Sequence, residues 1–225
     1  MPTSTTTVDA VLFDWDGTLM DTKETILRTY REASTEIYGH AYPTDPAQIE
    51  ELVQLRAKEA FLLVAQGDAE RAAEVAVRFG EAYARNQASA TPFDGIADAL
   101  RELVALGVQV GVATSKARSR FEADAERAGI RDLLAVAITG DDVTAAKPDP
   151  EPVARAIDEL GLSPANCFYV GDGPNDVLAA RAAGAVTVGV AWGFHPDECR
   201  EAGPQLFVRD PAELVDAVRR ARAAA

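Results

Sequence analysis

Short stretches that are apolar at nearly every residue recur along this chain, at 8–13, 108–113, 134–138, 167–170 and 186–190, with a weaker one at 206–208. A strand with one face in water alternates apolar and polar residues, whereas a strand buried on both faces does not. Between the later stretches lie segments of helical spacing: Ile96, Leu100, Leu103 and Leu106 recur at intervals of three and four, and so do Val153, Ile157 and Leu160. Doubly buried strands alternating with helices predict an α/β fold, a Rossmann-like parallel sheet of about five or six strands covered on both sides.

The alternation breaks once. Between Asp21 and Ala90 roughly seventy residues pass without a convincing strand, against about 2 to 6 for an ordinary connection between a strand and a helix. Their apolar positions are helical: Ile26, Tyr30, Ala33 and Ile37, then Leu52 and Leu55, then Phe61 and Val64, then Ala72, Val75, Phe79 and Tyr83. A small helical domain, 21–90, is therefore expected inside a core made of 1–20 and 91–225. "TPFDG" marks the return to the core, with Asp94 placed to cap the next helix.

With 36 acidic and 22 basic side chains the net charge is −14. That disfavours nucleic acid and anionic membrane surfaces, which need a concentrated basic face. An anionic ligand would need a locally positive site made by a metal ion, a lysine and backbone amides. No apolar run is long enough to span a bilayer, and "MPTSTTTVDA" lacks the basic start and apolar centre of a secretory signal. The expected compartment is the cytoplasm. Cys167 and Cys199 form neither a metal-type pair nor a disulfide framework, and His40 and His195 read as surface residues without a role.

In an open parallel sheet, ligands bind at the carboxyl ends of the strands. The first end delivers Asp14 and Asp16, one residue apart, so an extended backbone would aim both at one point. Asp16-Gly17 is also a turn dipeptide, and these residues alone leave a plain turn as an even alternative. The second end gives Thr114 and Ser115 at the start of a helix, the third region gives Lys147 before a proline, and the fourth gives Asp172 and Asp176 around a Gly-Pro turn. Each has an ordinary reading as a helix cap, a solvated lysine or a first-turn acid. Those readings do not account for the joint order of carboxylates, hydroxyl, lysine and carboxylates, each after a strand.

"DWDGT", the strand ending in Thr114, Lys147 in "KPDPEP" and "GDGPND" resemble the four motifs of the haloacid dehalogenase-like hydrolases, over essentially the whole chain and including a helical cap after the first motif. The likeness is to the branch containing phosphoglycolate phosphatases and β-phosphoglucomutases, and "AWGF" followed by "PAEL" also looks like its phosphatase members. The resemblance implies a Mg²⁺-dependent phosphatase acting on a small phosphorylated metabolite. It makes Asp14 the nucleophile and Asp16 the acid and base. Asp14, Asp172 and the Asp16 carbonyl become metal ligands, with Asp176 steadying them. Thr114, Ser115 and Lys147 hold the phosphoryl oxygens, with Lys147 also offsetting negative charge.

Asp16 argues for phosphorus chemistry, because the true dehalogenases of the family lack an acid there. Trp15 is bulkier than the usual residue and is expected to face away from the site. Gln54 stands where many relatives have a glycine in the cap loop, and nearby Arg56 and Lys58 are candidates to reach the substrate, with solvated surface residues as an equal alternative. A sugar phosphomutase is the nearest competing function, disfavoured because "MDTKETILRTYREAS" has no histidine. A binding protein that kept the fold would be expected to lack Asp14, Asp16 or Lys147. Monomer and homodimer are both left open.

Overall fold

The computed structural model describes residues 7–55 and 57–224. Among them the chain divides into two compact units, 22–91 and the remainder.

The larger unit is built on six strands, β1 (Ala10–Phe13), β2 (Gln109–Ala113), β3 (Val136–Ile138), β4 (Cys167–Gly171), β5 (Val186–Val190) and β6 (Leu206–Val208). All pair in parallel, in the order β3-β2-β1-β4-β5-β6. All four residues of β1 are buried, as expected for a central strand covered on both faces. Its even-numbered residues Ala10 and Leu12 share one apolar cluster with Val153, Ala156 and Ile157 of helix α7 (Glu151–Leu160) and Ala179 and Ala180 of helix α8 (Pro174–Ala182). By the alternation of the pleat, Val11 and Phe13 face the opposite side. Helices α5 (Ile96–Ala105) and α9 (Pro211–Ala223) pack on each other, α5 also on β2 and α9 on β6.

The strand order reverses between β1 and β4. Such a reversal opens a crevice beyond the carboxyl ends, because the following connections leave in opposite directions. The register there is tight: Phe13 lies beside Val112 and Val170, and the Asp14 N–H donates to the Val170 carbonyl at 2.9 Å.

The smaller unit contains α1 (Lys23–Tyr38), α2 (Pro46–Gln54), α3 (Ala57–Val64) and α4 (Ala69–Asn86). Leu27, Tyr30, Ala33, Leu52, Ala60, Val75, Phe79 and Tyr83 form its core, with the Tyr30 and Phe79 rings 4.5 Å apart. Asp45 and Asp68 cap α2 and α4 by accepting backbone N–H groups of the first turns. The capping role expected for Asp94 is not what the structure shows. Gly95, left-handed at φ 81°, takes the cap position of α5 and separates Asp94 from its first turn, which has no side-chain cap.

Leu12 is fully buried, whereas Leu178 is 44% exposed. Leu12→Ala is expected to lower the unfolding free energy in urea by about 2–5 kcal/mol. Leu178→Ala is expected to change it by no more than about 0.5 kcal/mol.

Candidate active site

Pairing of β1 ends at Phe13, and the chain then folds into a tight turn in which the Leu19 and Met20 N–H groups donate to the Trp15 carbonyl at 3.0 and 2.9 Å. Gly17 makes the turn possible. Its φ is 85°, and a Cβ there would lie 2.3 Å from Asp172 Oδ2, so only glycine satisfies both the left-handed backbone and the close approach. The Trp15 indole is fully buried, edge-on to Phe121 with ring centroids 4.7 Å apart.

Asp14, Asp172 and Asp176 converge beyond the ends of β1 and β4. One carboxylate oxygen from each lies within 4.8 Å of the others. Lys147, 5% exposed, points its ammonium into the group, 2.7 Å from Asp14 Oδ1 and 2.6 Å from Asp176 Oδ1. The ammonium also donates to the Tyr169 hydroxyl at 3.1 Å, and that hydroxyl donates to the Ala113 carbonyl at 2.7 Å. Asp176 Oδ2 accepts the Gly173 N–H at 3.1 Å at the start of α8. Asp172 is held by the Thr18 hydroxyl at 3.0 Å on one oxygen and the Phe194 N–H at 2.8 Å on the other, while the Trp192 indole N–H donates to the Thr18 carbonyl at 3.0 Å.

The electrostatics are strained in a particular sense. Burial, then Asp176 and Asp14, push the Asp172 carboxyl up to about 8, against the pull of the Phe194 amide and the Thr18 hydroxyl. Burial also raises Asp14, opposed by Lys147. Burial alone would lower Lys147, but Asp14 and Asp176 outweigh it and hold the ammonium well above the ordinary lysine range. Unit charges about 4 Å apart interact by on the order of 4 kcal/mol at an effective dielectric near 20. One ammonium does not offset three such carboxylates. The excess negative charge and the all-oxygen donor set fit a hard divalent cation such as Mg²⁺.

Asp16 is served differently. Its two oxygens accept from the Lys116 ammonium at 2.8 and 3.1 Å. The expectation that both carboxylates aim at one point rested on a continuing strand, which stops before either. Asp14 and Asp16 are instead held by different lysines, Lys147 and Lys116. Lys116 stands two residues after Thr114, and sequence reasoning passed over it because an isolated lysine carries no signal.

Thr114 is buried, with its N–H on the Ile138 carbonyl at 2.9 Å and its hydroxyl accepting the Lys116 N–H at 3.2 Å; Ser115 is exposed. Neither stands at a helix start. Helix α6 (Arg118–Arg127) begins later, with Ala117 in the cap position. Gly140 packs closely on the Ser115 carbonyl and donates its N–H to the Lys116 carbonyl at 2.9 Å, holding 115–116 to a neighbouring loop. Lys58 is exposed on α3, and Arg56 lies outside the described residues. Cys167 and Cys199 are buried, His40 is exposed and His195 half-buried.

The profile of the haloacid dehalogenase-like hydrolases matches residues 11–190. The chain belongs to that family. It is 33% identical over 218 residues to N-acetylmuramic acid 6-phosphate phosphatase of Pseudomonas aeruginosa, covering 94% of this chain and 95% of that protein. It is 35% identical over 211 residues to phosphoglycolate phosphatase of Xanthomonas campestris pv. campestris, covering 91% and 94%. Among solved structures, CbbY from Rhodobacter sphaeroides in complex with phosphate aligns with a TM-score of 0.81 at 26% identity, over 92% of this chain and 96% of that one. By this kinship the hydrolase is a phosphatase.

Gly17 and Gly107 have similar backbones, φ 85° and 75°, but a Cβ on Gly107 meets nothing within 4 Å. Gly107→Ala is expected to cost only the left-handed conformation, roughly 1–2 kcal/mol. Gly17→Ala adds the overlap with Asp172 and is expected to lower the melting temperature clearly further. Equal shifts in parallel thermal melts would contradict the packing described for Gly17.

Proposed function

We propose that this chain is a Mg²⁺-dependent phosphatase that hydrolyses a small phosphorylated metabolite through an aspartyl-phosphate on Asp14. The observation that carries this reading is the Lys147 ammonium placed between Asp14 and Asp176, with Asp172 in the same cluster. In this reading Asp14 attacks phosphorus while its neighbours remove the repulsion between two anions. Asp14, Asp172 and the Asp16 carbonyl are the groups that would hold Mg²⁺, which would offset the charge of the carboxylates and the phosphoryl oxygens. Asp176 steadies the metal site from beside it, bonded to the same Lys147 ammonium as Asp14.

Lys147, Thr114 and the Ser115 amide orient the transferring oxygens. Asp16 donates a proton to the leaving oxygen as the phosphorus–oxygen bond to substrate breaks. It then takes a proton from the water whose oxygen bonds to phosphorus as Asp14 is released. The names of the relatives span different phosphate esters, so the residues above account for the phosphoryl group alone, and Arg56 and Lys58 stay candidates for contact with the rest of the substrate.

The test is a panel of phosphorylated metabolites assayed for phosphate release with Mg²⁺ and with excess chelator, including glucose 1-phosphate isomerisation as the mutase alternative. Release is expected with the metal and not with chelator. Asp14→Asn is expected to reduce turnover by about 10⁴-fold or more while retaining the native melting profile. Asp172→Ala is expected to raise the Mg²⁺ concentration needed for half-maximal rate. A wild-type rate in Asp14→Asn, or full activity in chelator, would overturn the reading.

A further inference from the structure

A second buried cation lies beside the reaction centre. The Lys116 side chain is 4% exposed and lies between Asp16, 23% exposed, and Asp124, which is wholly buried. Its ammonium is 3.2 Å from Asp124 Oδ2, and Asp124 Oδ1 accepts from Arg127 at 2.7 Å, one turn along α6. A buried ammonium needs a charge partner, and Asp124 already supplies one. Asp16 is therefore an additional ligand of this ammonium, and both its oxygens are engaged.

The pairing has a direction. Asp124 is fixed from behind by Arg127 and by burial, so it anchors Lys116, and Lys116 in turn fixes the more exposed Asp16. A proton-transferring carboxylate must lie within hydrogen-bond reach of the atom it serves, and a side chain locked by its neighbours holds that geometry better than a free one. We infer that Lys116, anchored by Asp124, is a positioning residue that orients Asp16 for proton transfer to the leaving group. This rests on the phosphatase reading above and assigns a function to a pair of charges that reading leaves unused.

The balance of the two half-reactions fits the placement. When Asp16 gives its proton to the leaving oxygen it becomes a carboxylate, and Lys116 stands ready to receive that charge. When Asp16 accepts a proton from the attacking water, the contact is relaxed and the cycle closes. Lys116 itself loses and gains no proton.

The test separates leaving groups. An alkyl phosphate needs its leaving oxygen protonated, whereas 2,4-dinitrophenyl phosphate releases a stable anion and does not. In Lys116→Met, kcat/KM for the alkyl phosphate is expected to fall about tenfold or more, while kcat/KM for the dinitrophenyl ester, which reports only formation of the phosphoenzyme, stays within about twofold. Water attack still depends on Asp16, so the dinitrophenyl ester should show a burst followed by a slower steady state. Lys116→Arg should recover part of the alkyl-phosphate rate.

Because Lys116→Met leaves Asp124 with one cation fewer, the double variant Lys116→Met with Asp124→Asn removes both charges and is measured alongside, with melting curves for each. Selective loss on the alkyl ester in a folded variant supports the inference. Equal loss on both esters, or loss on neither, overturns it. Absence of any Mg²⁺-dependent turnover in the wild type would instead overturn the phosphatase reading.

Discussion

The arrangement depends on charge balance around one buried ammonium. Lys147 shares its charge between Asp14 and Asp176 within hydrogen-bond distance of both, and Tyr169 fixes where that ammonium sits by bonding to it and to the Ala113 carbonyl. Removing one member of such a group leaves the others buried and uncompensated, which costs more than the lost contact. Burial, and then the charges of Asp176 and Asp14, push Asp172 upward, and a divalent cation would relieve that push and so admit a phosphoryl group. The site is poised toward ligands because it is incompletely neutralised without them.

The sheet makes that concentration of charge affordable in space. β1 and β4 are neighbours, and the order reverses between them, so the residues after each strand emerge into the same crevice. Close backbone approach then brings the loops together. Gly17 lets the turn after Asp16 pass against Asp172. Gly193 does the same from the other side, since a Cβ there would lie 2.1 Å from the Asp172 Cβ and 2.7 Å from the Gly17 carbonyl. The "AWGF" segment thus has a structural purpose: Trp192 ties down Thr18, and the Phe194 amide holds Asp172.

Much of the larger unit was legible in the sequence. Doubly apolar strands and helical spacing in the segments between them imply a parallel sheet, and the carboxyl ends of parallel strands are where chemistry is found. The residues that support the site were less legible. Lys116 and Asp124 meet across a loop and a helix, Thr18 and Asp172 across 154 residues, and such pairings have no local pattern. Tyr169 reads as an ordinary strand aromatic until its hydroxyl is seen on Lys147. The extended geometry assumed for Asp14 and Asp16 rested on a strand that stops at Phe13, before either residue. Asp94 failed as a cap because Gly95 reaches the cap position first.

The account turns on a covalent bond between phosphorus and the Asp14 carboxylate. Acyl phosphates are reduced by borohydride to the alcohol, so a reaction quenched during turnover and reduced at once should leave homoserine in place of Asp14, found by mass spectrometry of the peptide spanning 11–20. The account predicts conversion at that residue alone, dependent on substrate and on Mg²⁺. Conversion at another residue, or steady phosphate release with Asp14 unmodified under every quench condition that preserves an acyl-phosphate standard, would contradict it.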